Sequence, residues 1–136
     1  MFLSLPHEND PDWMLSLRTL AMPADANPNG DVFGGWLMAQ MDLAGGNYAY
    51  QYARGRVATI AVTGMSFHQA VFVGDEVSCY CKRVKLGTTS MTIHIETWVR
   101  RHRDNKVIKV TEAMFTFVGI DENGRKRPLP KYAEDM

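Results

Sequence analysis

Only one stretch of this chain repeats with a helical period, and almost everything else alternates like β-strand, so the fold has to cover a large sheet with a single helix. From Gly35 to about Ala53 no proline intervenes. Leu37, Met41, Ala44, Tyr48 and Tyr52 fall on one helical stripe, and Met38, Asp42, Gly45 and Ala49 line the neighbouring one. Ala39, Ala44, Gly45, Gly46 and Ala49 make the flanks small. Residues of that size fill space poorly but let a strand or a ligand come close. The pattern predicts a central helix wrapped by a sheet.

Strand signals lie on both sides of it. Leu15 to Met22 precedes the helix and is stopped by Pro23, and Val57 to Phe67 follows Arg54-Gly55-Arg56. After the Val73-Gly74-Asp75 turn, Glu76 to Leu86 runs as far as Gly87. In Ser90 to Arg101, Met91, Ile93, Ile95 and Val99 alternate with Thr92, His94, Glu96 and Arg100. Val107 to Ile120 ends at the Asp121-Glu122-Asn123-Gly124 turn. The order β-α-β-β-β-β is α+β. A ferredoxin-like or doubly wound fold would need a further helix. These strands exceed the usual length of about five or six residues, and one helix covers only part of such a sheet. Val107 to Val118 is apolar on both faces, which predicts that its uncovered face is buried against another copy, in a homodimer at least.

At 136 residues the chain reads as one domain, 1–136, with an N-terminal extension (1–13) and a tail (131–136) expected to be flexible. Fifteen basic residues balance fifteen acidic ones, so no global field gathers nucleic acid or an anionic membrane. The acidic start, with Glu8, Asp10 and Asp12, fits neither a signal peptide nor a membrane span, and a cytoplasmic location is expected. Cys79 and Cys81, two apart on one strand face, read as small buried hydrophobes. His7, His68, His94 and His102 lack metal-ligand spacing, and His94 is expected to be exposed. No metal or resident cofactor is predicted.

Chemistry concentrates between Asp25 and Asp42, where a polar, glycine-rich turn runs into the apolar helix. Gly34 and Gly35 open that helix, so unpartnered backbone N–H groups face outward, backed by the positive end of the helix dipole. An oxyanion or polarised carbonyl suits them; the alternative is a glycine that only serves close packing. Asp42 lies about two turns in, too deep to cap, with no counter-charge on its stripe. It is either satisfied by a cross-strand arginine or hydroxyl, or it is a general base whose pKa burial raises. Asn27 before Pro28 suits an Asx-turn. Asp31 is expected to cap the helix.

Asn27-Pro-Asn-Gly-Asp-Val-Phe-Gly-Gly-Trp-Leu-Met-Ala-Gln-Met-Asp42, then Gly55-Arg-Val57, Met65-Ser-Phe67, Val73-Gly-Asp75 and Gly87-Thr-Thr-Ser90, resembles the hotdog-fold acyl-CoA thioesterases of the YciA-type branch. The likeness runs from about Leu17 to Pro130. It implies a long antiparallel sheet of about five strands around one helix, chains joined edge to edge, and trimers of dimers. It also implies hydrolysis of acyl-coenzyme A. In that chemistry Asp42 is the base that activates water, or the nucleophile that forms an anhydride. Gly35, with Gly34, is then the oxyanion donor, and Asn27 orients water or carbonyl from the facing subunit. The phosphates of coenzyme A would meet Arg56, Arg83 and Lys85 and the turn of Gly87, Thr88, Thr89 and Ser90, with Arg125 to Arg127 a weaker choice. A proline is common in the family where Ala70 stands, and the run Asn47 to Tyr52 departs from its usual aliphatic and charged pattern, which bears on acyl preference. Dehydratases of the same fold need a histidine near the helix start, and Asn27 to Gly35 has none; a binding module without catalysis would dispense with Asp42.

Overall fold

One close contact decides how helix and sheet meet. The computed structural model describes residues 5–132. Its elements are β1 (Met14–Leu20), a 3-10 turn (Pro23–Asp25), α1 (Gly34–Ala53), β2 (Val57–Phe67), β3 (Glu76–Leu86), β4 (Ser90–Arg100) and β5 (Val107–Gly119). The strands form one antiparallel sheet in the order β1-β3-β4-β5-β2. The one-helix, five-strand reading holds. Strand β1 ends at Leu20 rather than Met22 because the Asp75 N–H, which the register would pair with Ala21, turns back to Phe72 O at 3.0 Å.

Gly45 sits where α1 crosses β4 and β5. A Cβ built there would lie 2.6 Å from Ile95 Cδ1 and 2.8 Å from the Phe117 ring. Both side chains are buried in the main core, with Met41, Ala44, Ala49, Met91 and Ile93. Cys79 and Cys81 are part of the same core; burial pushes their thiols up to about 11 and about 12, so they remain unreactive thiols.

A second core of Ala21, Val32, Leu37, Val71, Val77, Val99 and Val110 lies under the segment before the helix. Beside it, Asp75 Oδ2 accepts from Arg101 Nη1 at 2.5 Å and from the Phe72 N–H at 2.9 Å, with both charged side chains buried. Removing either partner leaves an uncompensated buried charge. The pinned 71–75 turn holds the chain ahead of the helix: Val32 N–H donates to Val71 O, and Gly74 N–H to Ala21 O, both at 2.8 Å.

Two expectations about exposure need correction. The outer face of β5 is not the bare apolar surface: β5 is an inner strand, and Glu112, Met114 and Thr116 on that face are half-buried. Exposed apolar groups lie instead on edge strand β2 and the flank of α1, at Ile60, Val62, Phe67, Met38, Leu43 and Tyr50. His94 is not exposed either. It is half-buried, with Nε2 3.0 Å from Glu112 Oε1. The N-terminal extension, expected to be flexible, packs over this outer face from His7 onward. The His7 ring stacks on Trp13 at 4.1 Å, and its Nε2 lies 2.7 Å from Glu96 Oε1. At the other end Tyr132 Oη donates to Tyr52 O at 2.7 Å, while 133–136 lie outside the described residues.

Glycine substitutions of opposite sign test the helix packing. Alanine improves helix propensity by about 1 kcal/mol at either position, but overpacking a dense core costs about 1–3 kcal/mol. Gly46 meets only Phe117 Cε1 at 3.8 Å. Denaturant unfolding should therefore show Gly45→Ala destabilised by about 1 kcal/mol and Gly46→Ala stabilised by about 0.5 kcal/mol; equal effects would refute this account of the contact.

A pH-dependent prediction follows from the outer face. The Lys109 ammonium, then His94 and His68, hydrogen-bond Glu112 and hold its carboxyl at about 2, below its ordinary 4.5, against an opposing push from burial. Because the folded pKa is depressed, this pairing stabilises the fold above about pH 4.5 and is lost as pH falls toward 2. In Glu112→Gln, stability followed by urea unfolding from roughly pH 5 to 3 should fall less steeply than in the wild type. An unchanged slope would show that the pairing contributes nothing.

Candidate active site

The helix start carries bare donors. Phe33, in extended conformation, is the N-cap residue, and no side chain caps the helix. The Trp36 and Leu37 N–H groups return to Phe33 O at 3.1 and 3.3 Å. Among the described residues, nothing accepts from the N–H of Gly34 or Gly35. Asp31, expected as the cap, is engaged elsewhere: its N–H donates to Asn27 Oδ1 at 3.2 Å and its backbone bridges to Phe72. With no acidic residue in the first turn, the positive end of the dipole is uncompensated.

Gly35 does not serve close packing within the chain. A Cβ there would meet nothing within 4 Å, whereas one at Gly34 would touch the Phe67 ring at 3.4 Å. A side chain at 35 would project into open space. Beside it opens a groove of about 410 Å³ lined by Val32, Gly34, Leu37, Phe67 and Val71.

Asn27 forms the Asx-turn. Its Oδ1 accepts from the N–H groups of Asn29 at 2.9 Å and Asp31 at 3.2 Å. Its side-chain NH₂ has no partner among the described residues and stays available.

Asp42 departs from the expected burial. On the flank of α1 toward β2 it is exposed in the single chain, and Thr59 Oγ1 donates to its Oδ1 at 2.5 Å. A cross-strand hydroxyl thus satisfies one oxygen, and Oδ2 is left for another proton donor. Thr59 was not legible as a site residue. Its signal was a strand threonine close in sequence to the helix C-terminus, visible only once β2 folds back along α1.

Of the residues assigned to coenzyme A, Gly34 lies at the helix start, whereas Arg83, Gly87 and Thr88 line cavities at the opposite end of the helix. Gly87 and Thr88 line a cavity of about 260 Å³ with Tyr52, Leu129 and Lys131. Arg83 lies over the Tyr52 ring at 4.6 Å and lines an adjoining cavity of about 290 Å³ with Tyr48 and Arg54. Backbone bonds hold the turn: Gly87 N–H to Ser90 O at 2.8 Å and Leu129 N–H to Thr88 O at 2.8 Å. Arg56 reaches the Asp121 carbonyl at 3.5 Å, and Lys85 is exposed. Arg127 is spent on structure, donating to Ala53 O and Ile120 O.

No helix among the described residues is long and apolar enough to cross a membrane. The family model of the thioesterase superfamily matches residues 29–105. The acyl-CoA thioester hydrolase YciA of Salmonella typhimurium is 52% identical over 126 residues, covering 90% of this chain and 95% of that protein. The hexameric thioesterase y2039 from Yersinia pestis superposes with a TM-score of 0.85 at 51% identity, covering 90% of this chain and 99% of the other. HI0827, a hexameric broad specificity acyl-coenzyme A thioesterase, superposes with a TM-score of 0.83 at 47% identity, covering 89% and 84%. The likeness runs over nearly the whole chain, and the chain belongs to the thioesterase superfamily, in the branch of the YciA acyl-CoA thioester hydrolases.

Proposed function

We propose that the chain hydrolyses acyl-coenzyme A to the free acid and coenzyme A at sites shared between two copies of itself. One geometric observation carries this reading. Gly35 and Asp42 lie seven residues apart, about 10 Å along the helix axis, and the Gly35 N–H points out of the helix start, away from Asp42. An acceptor on that N–H and a water on that carboxylate belong to one tetrahedral centre only if they sit within about 3 Å of its donors and base. A single chain cannot meet that condition. Two antiparallel helices, related by a two-fold axis with their β2 edges joined, place Asp42 of one chain level with Gly35 and Asn27 of the other. Exposed Ile60, Val62 and Leu43 supply the apolar contact such a pair needs.

Each step then has a group. Asp42, with Thr59 holding Oδ1, takes a proton from water on Oδ2, and the water oxygen adds to the thioester carbon. Negative charge passes to the carbonyl oxygen, where the partner's Gly35 N–H, with Gly34 N–H beside it, stabilises it at the positive end of the dipole. The free Asn27 amide of the same partner orients the carbonyl. Collapse breaks the C–S bond, and the leaving sulfur takes up the proton held on Asp42 Oδ2 and departs as coenzyme A. Its phosphates lie toward Arg56, Arg83, Lys85 and the Gly87–Ser90 turn, at the helix end beyond Asp42. No resident cofactor is required. The hexamers of y2039 and HI0827 extend this reading to a trimer of such dimers. Two unpaired buried cysteines suit a reducing compartment, in keeping with a cytoplasmic enzyme.

Thiol release from a panel of acyl-coenzyme A substrates tests the activity: Asp42→Ala should reduce kcat/KM by about 10²–10⁴-fold while the protein stays folded. No thiol release from any substrate in the wild type, with ligand still bound, would leave a binding module instead. Mixing tests the shared site. Refolding Asp42→Ala with Asn27→Ala makes half of all dimers mixed, each with one intact site, and should restore about a quarter of wild-type activity. Sites lying within one chain would restore none.

Asn27 has separable roles. Asn27→Asp keeps the acceptor of the turn but loses the amide N–H, so it should unfold within about 0.5 kcal/mol of the wild type, whereas Asn27→Ala costs about 1 kcal/mol. If Asn27→Asp nevertheless loses about tenfold or more in kcat, the amide acts in catalysis; unchanged kcat would reduce Asn27 to the turn.

A further inference from the structure

The outer face of the sheet holds an arrangement that thioester chemistry does not use. Glu96 on β4 stands directly opposite Glu112 on β5. Like charges in that position repel, so the sheet keeps this pair only with compensation. Lys109 Nζ lies 2.8 Å from Glu112 Oε2 and 3.8 Å from Glu96 Oε2, which supplies one positive charge for two carboxylates. The remaining partners are imidazoles: His7 on Glu96 at 2.7 Å, and His94 and His68 on Glu112 at 3.0 and 3.4 Å. Three imidazoles and two carboxylates thus converge on one patch of the sheet.

Donor positions match a metal ion. One ligand atom each from His94, Glu96 and Glu112 lies within 4.8 Å of the other two. A tetrahedral ion with bonds of about 2.1 Å sets its donors about 3.4 Å apart, a small adjustment from here. The Glu96 side chain is only 9% exposed. Its Oε1 is fixed by His7 and by Trp98 Nε1 at 2.9 Å, whereas its Oε2 accepts no hydrogen bond from a described residue and has only the Lys109 ammonium near it, at 3.8 Å. We propose that His94, Glu96 and Glu112, with His7 beside them, bind one divalent transition-metal ion of the borderline class represented by Zn²⁺. Imidazole nitrogen selects that class over Mg²⁺. The ion takes the place of the Lys109 ammonium, whose flexible stem swings it out to water. Its effect is to fasten the N-terminal segment to the sheet through His7 and Glu96. The site lies on the face away from Asp42 and is independent of the thioesterase reading.

Titration of metal-free protein with Zn²⁺ against a chromophoric chelator, with Mg²⁺ in parallel, tests this. The wild type should bind one Zn²⁺ per chain, at least about 100-fold tighter than Mg²⁺. The His94→Ala Glu112→Gln double variant should bind at least about tenfold more weakly. Lys109→Met removes the competing ammonium and should bind severalfold tighter, a gain that misfolding cannot produce. No stoichiometric Zn²⁺ on the wild type, no preference over Mg²⁺, binding that survives in the double variant, or unchanged or weaker binding in Lys109→Met would each overturn the proposal. The thiols of Cys79 and Cys81 are buried and protonated, so they do not compete.

Discussion

The approach of α1 to the sheet at Gly45 is the constraint on which the rest depends. With no side chain at that position, Ile95 and Phe117 pack directly against the helix backbone, and the helix settles low over β4 and β5. Its rotation is then fixed. Leu37, Met41, Ala44 and Ala49 turn into the core, and Asp42, off that stripe, is carried round to the β2 side, where Thr59 meets it. A larger residue at 45 would lift or roll the helix, and the carboxylate would lose its orientation before any catalytic residue had changed.

The helix start is positioned by a different device. Residues 21–32 carry few apolar groups of their own, so they are hung from the 71–75 turn by backbone hydrogen bonds, and that turn is anchored by the buried Asp75–Arg101 pair. Paired and hydrogen-bonded on both sides, the two charges tolerate burial; singly, neither would. The Asx-turn at Asn27 then presents Phe33 in extended form, and Gly34 and Gly35 begin the helix with their N–H groups unspent. Polar interactions of modest net energy thus set the direction of the glycine N–H groups, while the apolar core sets the position of the Asp42 carboxylate.

Much of this was legible in the sequence because it is periodic or turn-coded. A single helical stripe among alternating segments gave the element order, and the two glycines marked the helix start. What was hidden depends on strand order and register. The β1-β3-β4-β5-β2 order moves β5 inward and β2 to the edge, so an apolar pattern on β5 that pointed to a partner belonged to the interior, and the exposed apolar groups lay on β2. Asp42 read as buried because its helix is apolar, but it lies on the flank that a single sheet leaves open. His7, His68, His94, Glu96 and Glu112 have no metal spacing along the chain. Register alone aligns Glu96 with Glu112, and the fold of the N-terminal segment adds His7.

The open flank and the separated site residues have one common explanation. A helix long enough to cover five strands is also long enough to hold its N-terminal donors and its carboxylate too far apart for one carbonyl, and no bend in α1 closes that gap. The flank that leaves Asp42 exposed is the one that bares Leu43, Ile60 and Val62. Burying this apolar surface against a two-fold-related copy would bring the carboxylate into a site of low water content and supply the missing donors in the same event. In the proposed dimer, assembly and catalytic competence are therefore the same equilibrium.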